Sequence, residues 1–237
     1  MDGPVSGLGV SDGPAMSRSF TPSSLSLGYT KPLTGGWSVG GNVSRVERAP
    51  SSFELFADGE HVATDAYEKG NPSLKEERGR HYELTAKWST VNAAEFSATA
   101  FQSEFSNYIT LIARPDETFN DAPVFDFAAV PANFYGVEMS YQQVINNNLG
   151  KWKPRIQFDS VRGKRNDGGG NLPRVSPQRV LISLDYSRKG WSLTPELIWV
   201  DDSKGAAGDP VTESYQMLNL RVVKTFDLNA FNRAGLA

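Results

Sequence analysis

RAPSSFELFADGEHVATDAYEKGNPSLKEE, Arg48 to Glu77, separates two segments that each read as a β-strand. Upstream, Trp37, Val39 and Val43 alternate with Ser38, Gly40, Asn42 and Ser44. Downstream, Tyr82, Leu84, Ala86 and Trp88 alternate with His81, Glu83, Thr85 and Lys87. Such a period of two marks strands with one apolar and one polar face. The thirty residues between them are polar and punctuated, yet they carry Phe53, Leu55, Phe56 and Tyr67, so they do not read as a disordered spacer. Hairpin loops commonly need only about two to five residues.

The same alternation recurs along the chain, in Leu25–Tyr29, Tyr135–Gln142, Arg179–Tyr186, Trp191–Trp199 and Leu218–Val222. Residues 93–112 and 152–162 are strand-like but less regular, giving about nine strands and no convincing amphipathic helix. Short connections (KPLTG, STVN, NNNLG, RKG) alternate strictly with long ones at 47–79, 114–131, 163–177 and 201–212. An up-and-down antiparallel sheet with all tight turns at one end produces this pattern, as transmembrane β-barrels do. Strand length points the same way, because crossing the hydrocarbon layer takes about 9–11 residues. Aromatics near strand ends (Tyr29, Trp37, Trp88, Tyr141, Tyr186, Trp191, Trp199) suit an interfacial girdle. The fold class expected is therefore all-β, an up-and-down transmembrane barrel portion. Alternation alone does not say whether an apolar face meets lipid or a protein core, so a soluble β-sandwich or lipocalin-like barrel remains the alternative.

Bulk composition narrows function by exclusion. With 237 residues, net charge −3 and no basic stripe, nothing favours nucleic acid. The absence of cysteine removes disulfides, thiolate metal sites and cysteine nucleophiles. Two histidines, His61 and His81, leave little for a histidine-rich metal centre, and no catalytic triad or carboxylate pair is arguable, so an enzyme is not expected. No signal peptide is visible at the N-terminus.

The opening stretch with its flanks resembles the mid-barrel signature of TonB-dependent outer-membrane receptors, R-x-P…E-L-(Y/F)…G…G-N-P-x-L-x-x-E. The matching positions are Arg48, Pro50, Glu54, Leu55, Phe56, Gly59, Gly70, Asn71, Pro72, Leu74 and Glu77, followed by Glu83 and Leu84. FQSEFSNYI, FYGVEMSYQQV (with Gly136 and Glu138) and NLPRVSPQRVLISLDY resemble later strands of that family. The DGEHVAT variant looks most like its zinc- or haem-associated subgroup. The resemblance implies an outer-membrane receptor of a Gram-negative bacterium for a scarce metal ion, haem or metal chelate, with zinc or haem as transported ligand rather than resident cofactor. Implied partners are outer-membrane lipid, the ligand, and the TonB system if a plug and TonB box are supplied elsewhere. The family's barrels have about 22 strands around a plugged lumen. With about nine strands and no plug, this sequence is expected to be a fragment, not transport-competent alone. A passive porin-like barrel is the further alternative.

The expected organisation is an irregular segment at 1–19, a partial barrel at 20–226 and an irregular tail at 227–237. Asp58, Glu60 and His61 form a compact donor set of the kind that suits a divalent ion, weighed against an ordinary solvated loop. His81 falls on a polar strand face and is expected to line the interior. Arg48 is expected to pair with Glu54 or Glu77, and Gly70–Asn71–Pro72 to form a turn that rigidifies the return into the next strand.

Overall fold

Tyr82 and Leu84 sit where alternation requires, in the middle of a long antiparallel sheet. The computed structural model describes residues 17–62, 65–91, 93–203, 205 and 211–226. Its strands are β1 (Leu25–Pro32), β2 (Trp37–Arg48), β3 (Asp58–His61), β4 (Ala66–Lys69), β5 (Glu77–Ser89), β6 (Ala94–Phe119), β7 (Ala122–Gln143), β8 (Ile145–Asn147), β9 (Gly150–Arg165), β10 (Arg179–Arg188), β11 (Trp191–Val200) and β12 (Tyr215–Lys224). The main path runs β1-β2-β5-β6-β7-β9-β10-β11-β12, nine strands in an antiparallel meander, as the sequence leads one to expect. Strands β3, β4 and β8 are short additions beside it. Among the described residues the sheet is open, with β1 and β12 at its edges. The termini, 1–16 and 227–237, lie outside the described residues, and with them most of the expected irregular end segments.

The register settles which face is which. Val43 pairs with Leu27 and Tyr82, Leu84 with Ala100, Val137 with Ala100, and Met139 with Phe158. These positions share one face, and its large side chains stay uncovered: Leu27 is 79% exposed, Leu84 71% and Leu218 77%. A soluble sandwich would bury this face as its core, so the soluble alternative fails. One unbroken row of direct partners runs Trp37, Trp88, Phe96, Tyr141, Ile156, Ile182 and Leu197. Aromatics hold the turn-side end of the face, with Trp37 6.2 Å from Trp88 and Trp152 4.3 Å from Tyr186, ring to ring. Beyond β7 the aromatic line leaves that row and continues through Trp152 and Tyr186 to Trp191.

The opposite face is polar, with Asn42, Glu83, Thr85, Thr99, Glu138, Gln157 and Asp159 in register across five strands. His81 belongs to it, its Nδ1 2.8 Å from the Ser103 hydroxyl, which agrees with the interior position expected. Higher on this face three glycines face phenylalanines across the ladder: Gly79–Phe105, Gly136–Phe101 and Gly163–Phe134. A Cβ on Gly136 would lie 2.6 Å from the Phe101 ring, so the ring occupies the space that the missing side chain leaves.

One expected loop is not a loop. Residues 114–131 continue β6 and β7 as a single hairpin that closes at Asn120 and Asp121, with φ of 50° and 68°. Two successive positive-φ residues make the turn whose twist matches paired strands, and Asn and Asp tolerate it best after Gly. The other long connections do lie at this end of the sheet, and β3, β4 and one helical turn, α1 (Ser52–Phe56), form within the first of them.

Candidate functional site

Nearly all the core of the described residues sits above the sheet, where the loops gather. Leu55, Leu74, Ile109, Leu111 and Phe127 make one buried cluster, with Phe20, Phe56 and Phe125 against it. Val130, Ala132 and Leu172 make a second, flanked by Phe105, Tyr108 and Phe134. The opening stretch is thus a folded cap, tied down by the outer ends of β6 and β7 and by the 166–178 connection.

Its construction begins with Ser51. The Ser51 hydroxyl accepts from the Glu54 N–H at 3.1 Å, and the Glu54 carboxylate accepts from the Ser51 N–H at 2.7 Å. This capping box starts α1 in a chain too short to be helical by propensity. Arg48 then binds both acids: it donates to Glu54 at 2.8 and 3.0 Å and to Glu77 at 3.0 Å. The expected choice between Glu54 and Glu77 resolves as both. Glu77, nearly buried, also accepts from the Ile109 N–H at 2.8 Å, so one carboxylate ties β5 to β6 beneath the cap. Burial opposes a charge on Glu54, but hydrogen bonds from Arg48 and from Ser51 prevail and hold its carboxyl below the ordinary value.

Gly70–Asn71–Pro72 performs the return by close approach. A Cβ on Gly70 would stand 2.5 Å from the Phe56 N and 2.6 Å from the Leu55 carbonyl carbon, because the chain crosses the end of α1. The Gly70 N–H donates to the Ala57 carbonyl at 2.6 Å and the Asn71 N–H to the Glu54 carbonyl at 2.9 Å. Asn71 Oδ1 accepts from the Ser73 N–H at 3.0 Å, and the Pro72 carbonyl accepts from Arg18. Leu55 and Leu74, each 3% exposed, anchor the two arms, and Pro50 is buried at the entry.

The donor set read from DGEHVAT does not converge. Because β3 is a strand, Asp58 and Glu60 point one way and His61 the other. Asp58 accepts from the Tyr67 hydroxyl at 2.8 Å, which raises the phenol's pKa, and Glu60 accepts from Asn120 at 3.1 Å. His61 Nδ1 lies 3.4 Å from the Glu68 carboxylate, to which Arg174 donates at 3.0 Å. Glu68 is 1% exposed. Among the described residues no three His, Asp or Glu side chains gather as a metal site. Sequence reading did not bring out Glu68 and Arg174, which lie 106 positions apart. It also passed over the capping box, although the S-x-x-E spacing at 51–54 is its ordinary signature. Beneath the cap, the polar face carries a groove of about 420 Å³ lined by Thr99, Glu138, Gln157, Asp159 and Arg179, with Arg179 paired to Asp159 at 2.9 Å.

The family model described as "TonB dependent receptor-like, beta-barrel" matches residues 5–236. An iron-regulated outer membrane virulence protein of Vibrio cholerae serotype O1 (El Tor Inaba) is 30% identical over 137 residues, covering 55% of this chain and 21% of that protein. Its counterpart in the Classical Ogawa strain is 34% identical over 137 residues, with the same coverage. Among solved structures, the copper transporter OprC superposes with a TM-score of 0.69 at 16% identity, over 82% of this chain and 31% of that one. A mutant of the ferric enterobactin receptor PfeA from Pseudomonas aeruginosa gives 0.61 at 19% identity, over 86% and 32%. The chain spans about a fifth of the curated relatives and about a third of the solved chains.

Proposed function

This chain belongs to the TonB-dependent receptor-like β-barrel family of the Gram-negative outer membrane, and from that premise we propose that it forms the ligand-capturing side of a receptor for a metal chelate. The observation that carries the reading is the division of labour at the rim. Below it, a nine-strand meander turns a bare apolar face to lipid and a polar face to water; above it, the 49–76 and 166–178 connections fold against the outer ends of β6 and β7. A passive pore has no need of such a folded layer at its rim. Relatives named as iron-regulated and as a ferric enterobactin receptor support a metal chelate as the cargo, and a neighbour named as a copper transporter keeps the metal itself as the second reading. The scattered positions of Asp58, Glu60 and His61 favour the chelate.

Transport is proposed only for a closed barrel. In hydrocarbon each unpaired backbone group costs several kcal/mol, so the open edges at β1 and β12 require further strands beside them. Coupling through TonB likewise requires a plug and a TonB-contacting box in the same assembly. Deleting residues 50–75 from the complete receptor, with a ferric catecholate as sole iron source, should abolish growth while the barrel stays in the outer membrane. Unchanged growth and unchanged chelate binding would remove the reading.

A further inference from the structure

Above the lipid-facing apolar band, the same face of the sheet turns abruptly basic. Strand period places Arg78 and Arg80 directly above Tyr82 and Leu84 on β5, Arg45 above Val43 on β2, and Arg162 and Lys164 above Phe158 on β9. Among the described residues of this face, five basic side chains stand here beside the acids Glu47 and Glu104, in a protein whose net charge is −3. Arg45 and Arg80 are direct cross-strand partners, a pairing of like charges that is destabilising unless an anion lies between. Glu47 offsets part of it, at 2.7 Å from Arg45 and 3.2 Å from Arg78. Glu104, opposite Arg80, is engaged by Gln102 at 2.9 Å. A cavity of about 660 Å³ opens between Arg45, Arg78, Arg80 and Glu104, with Asn133 and Asn166 also lining it.

We propose that this recess binds the phosphate-bearing headgroup of an anionic lipid in the leaflet on the loop side. The proposal rests on the membrane-facing assignment of this face, not on chelate uptake. Its position selects the occupant: a headgroup whose acyl chains lie along Leu27, Val43, Tyr82 and Leu84 brings its phosphate to the height of Arg45, Arg78 and Arg80. Free phosphate has the right charge but gains nothing from the apolar band below. Asn133 and Asn166 add neutral donors suited to phosphate or sugar oxygens.

The test uses the complete receptor, with its barrel closed, in bilayer nanodiscs, and insertion is scored separately by heat-dependent gel mobility. Nanodiscs contain phosphatidylcholine alone or with a di-phosphorylated glycolipid, and retained lipid is counted by native mass spectrometry. Retention of the glycolipid over phosphatidylcholine is expected, falling on the order of tenfold or more in the R45Q/R78Q/R80Q variant. Glu47→Gln, which frees Arg45 and Arg78, should raise retention. Inorganic phosphate at millimolar concentration should not displace the lipid. Equal retention of both lipids, unchanged retention in the triple variant with insertion intact, or displacement by inorganic phosphate would each overturn the proposal. If the complete barrel fails to insert at all, the membrane assignment itself falls.

Discussion

Leu84 and Leu55 are the same side chain held in two different solvents. Leu84, on β5, is 71% exposed on a face where every direct partner is apolar or small; Leu55, in α1, is 3% exposed among Leu74, Ile109 and Phe127. Below the rim the backbone ladder supplies order and apolar side chains remain bare for lipid. Above it, short elements with few ladder bonds are ordered by burial against one another, in water. One chain thus follows membrane rules and globular rules a few residues apart, and Arg48, Glu54 and Glu77 mark the seam.

That contrast predicts opposite sensitivities. The largest effect belongs to the cap: Leu55→Ala or Leu74→Ala should cost about 2–5 kcal/mol of cap stability, read as proteolysis within 49–76 while the strands stay protected. Loss of both regions together would break the distinction. Next, Leu84→Arg in the complete receptor should cost about 2–4 kcal/mol of folding into lipid vesicles, measured by denaturant titration, with little change in cap proteolysis. Glu77→Ala removes the acceptor shared by Arg48 and the Ile109 N–H, and should cost about 1–3 kcal/mol, loosening the cap and the upper end of β6 in hydrogen exchange. Ser51→Ala should cost about 1 kcal/mol through the lost cap of α1.

The smallest effect is a pH dependence of the seam. Glu54 has a folded pKa below its unfolded one, so the stability it lends is present above about pH 4.3, the unfolded value, and fades as pH falls through the folded value. Asp167 in the 166–178 connection is lowered too, chiefly by Arg165. Cap proteolysis should therefore be flat from neutrality to about pH 5 and rise below that. A midpoint near neutrality would count against Glu54 as the cause.

The same contrast explains what could be read from the sequence. Seven of the nine strands of the main path were legible because one face meets lipid and the other water, which imposes strict alternation on residues such as Tyr82–Trp88, while β6 and β9 read as strands with less regular alternation. The stretch APVFDFAAVPANF, 122–134, carries no such signal. Val124, Phe127, Val130 and Ala132 are buried there under the cap, so the pattern lost its period and read as a loop. Its Asn120–Asp121 turn was the available clue. The motif residues Arg48, Glu54, Gly70 and Glu77 were legible as a set, but the close crossing at Gly70 and the double grip of Arg48 needed coordinates. Asp58, Glu60 and His61 looked like a site because adjacency in sequence was taken for adjacency in space, which β3 denies.

The aromatic line carries one more quantity. It starts on the shared row at Trp37 and finishes at Trp191, six residues along β11 from Leu197, where that row arrives. Six residues amount to about 20 Å of strand, and the six lateral steps from β2 to β11 to about 29 Å. If the aromatics mark one water–lipid boundary, the strands lean by about 35° from the membrane normal, at the lower edge of the range for such barrels. At that slant ten residues climb about 27 Å, close to the height of the oily layer they must cross.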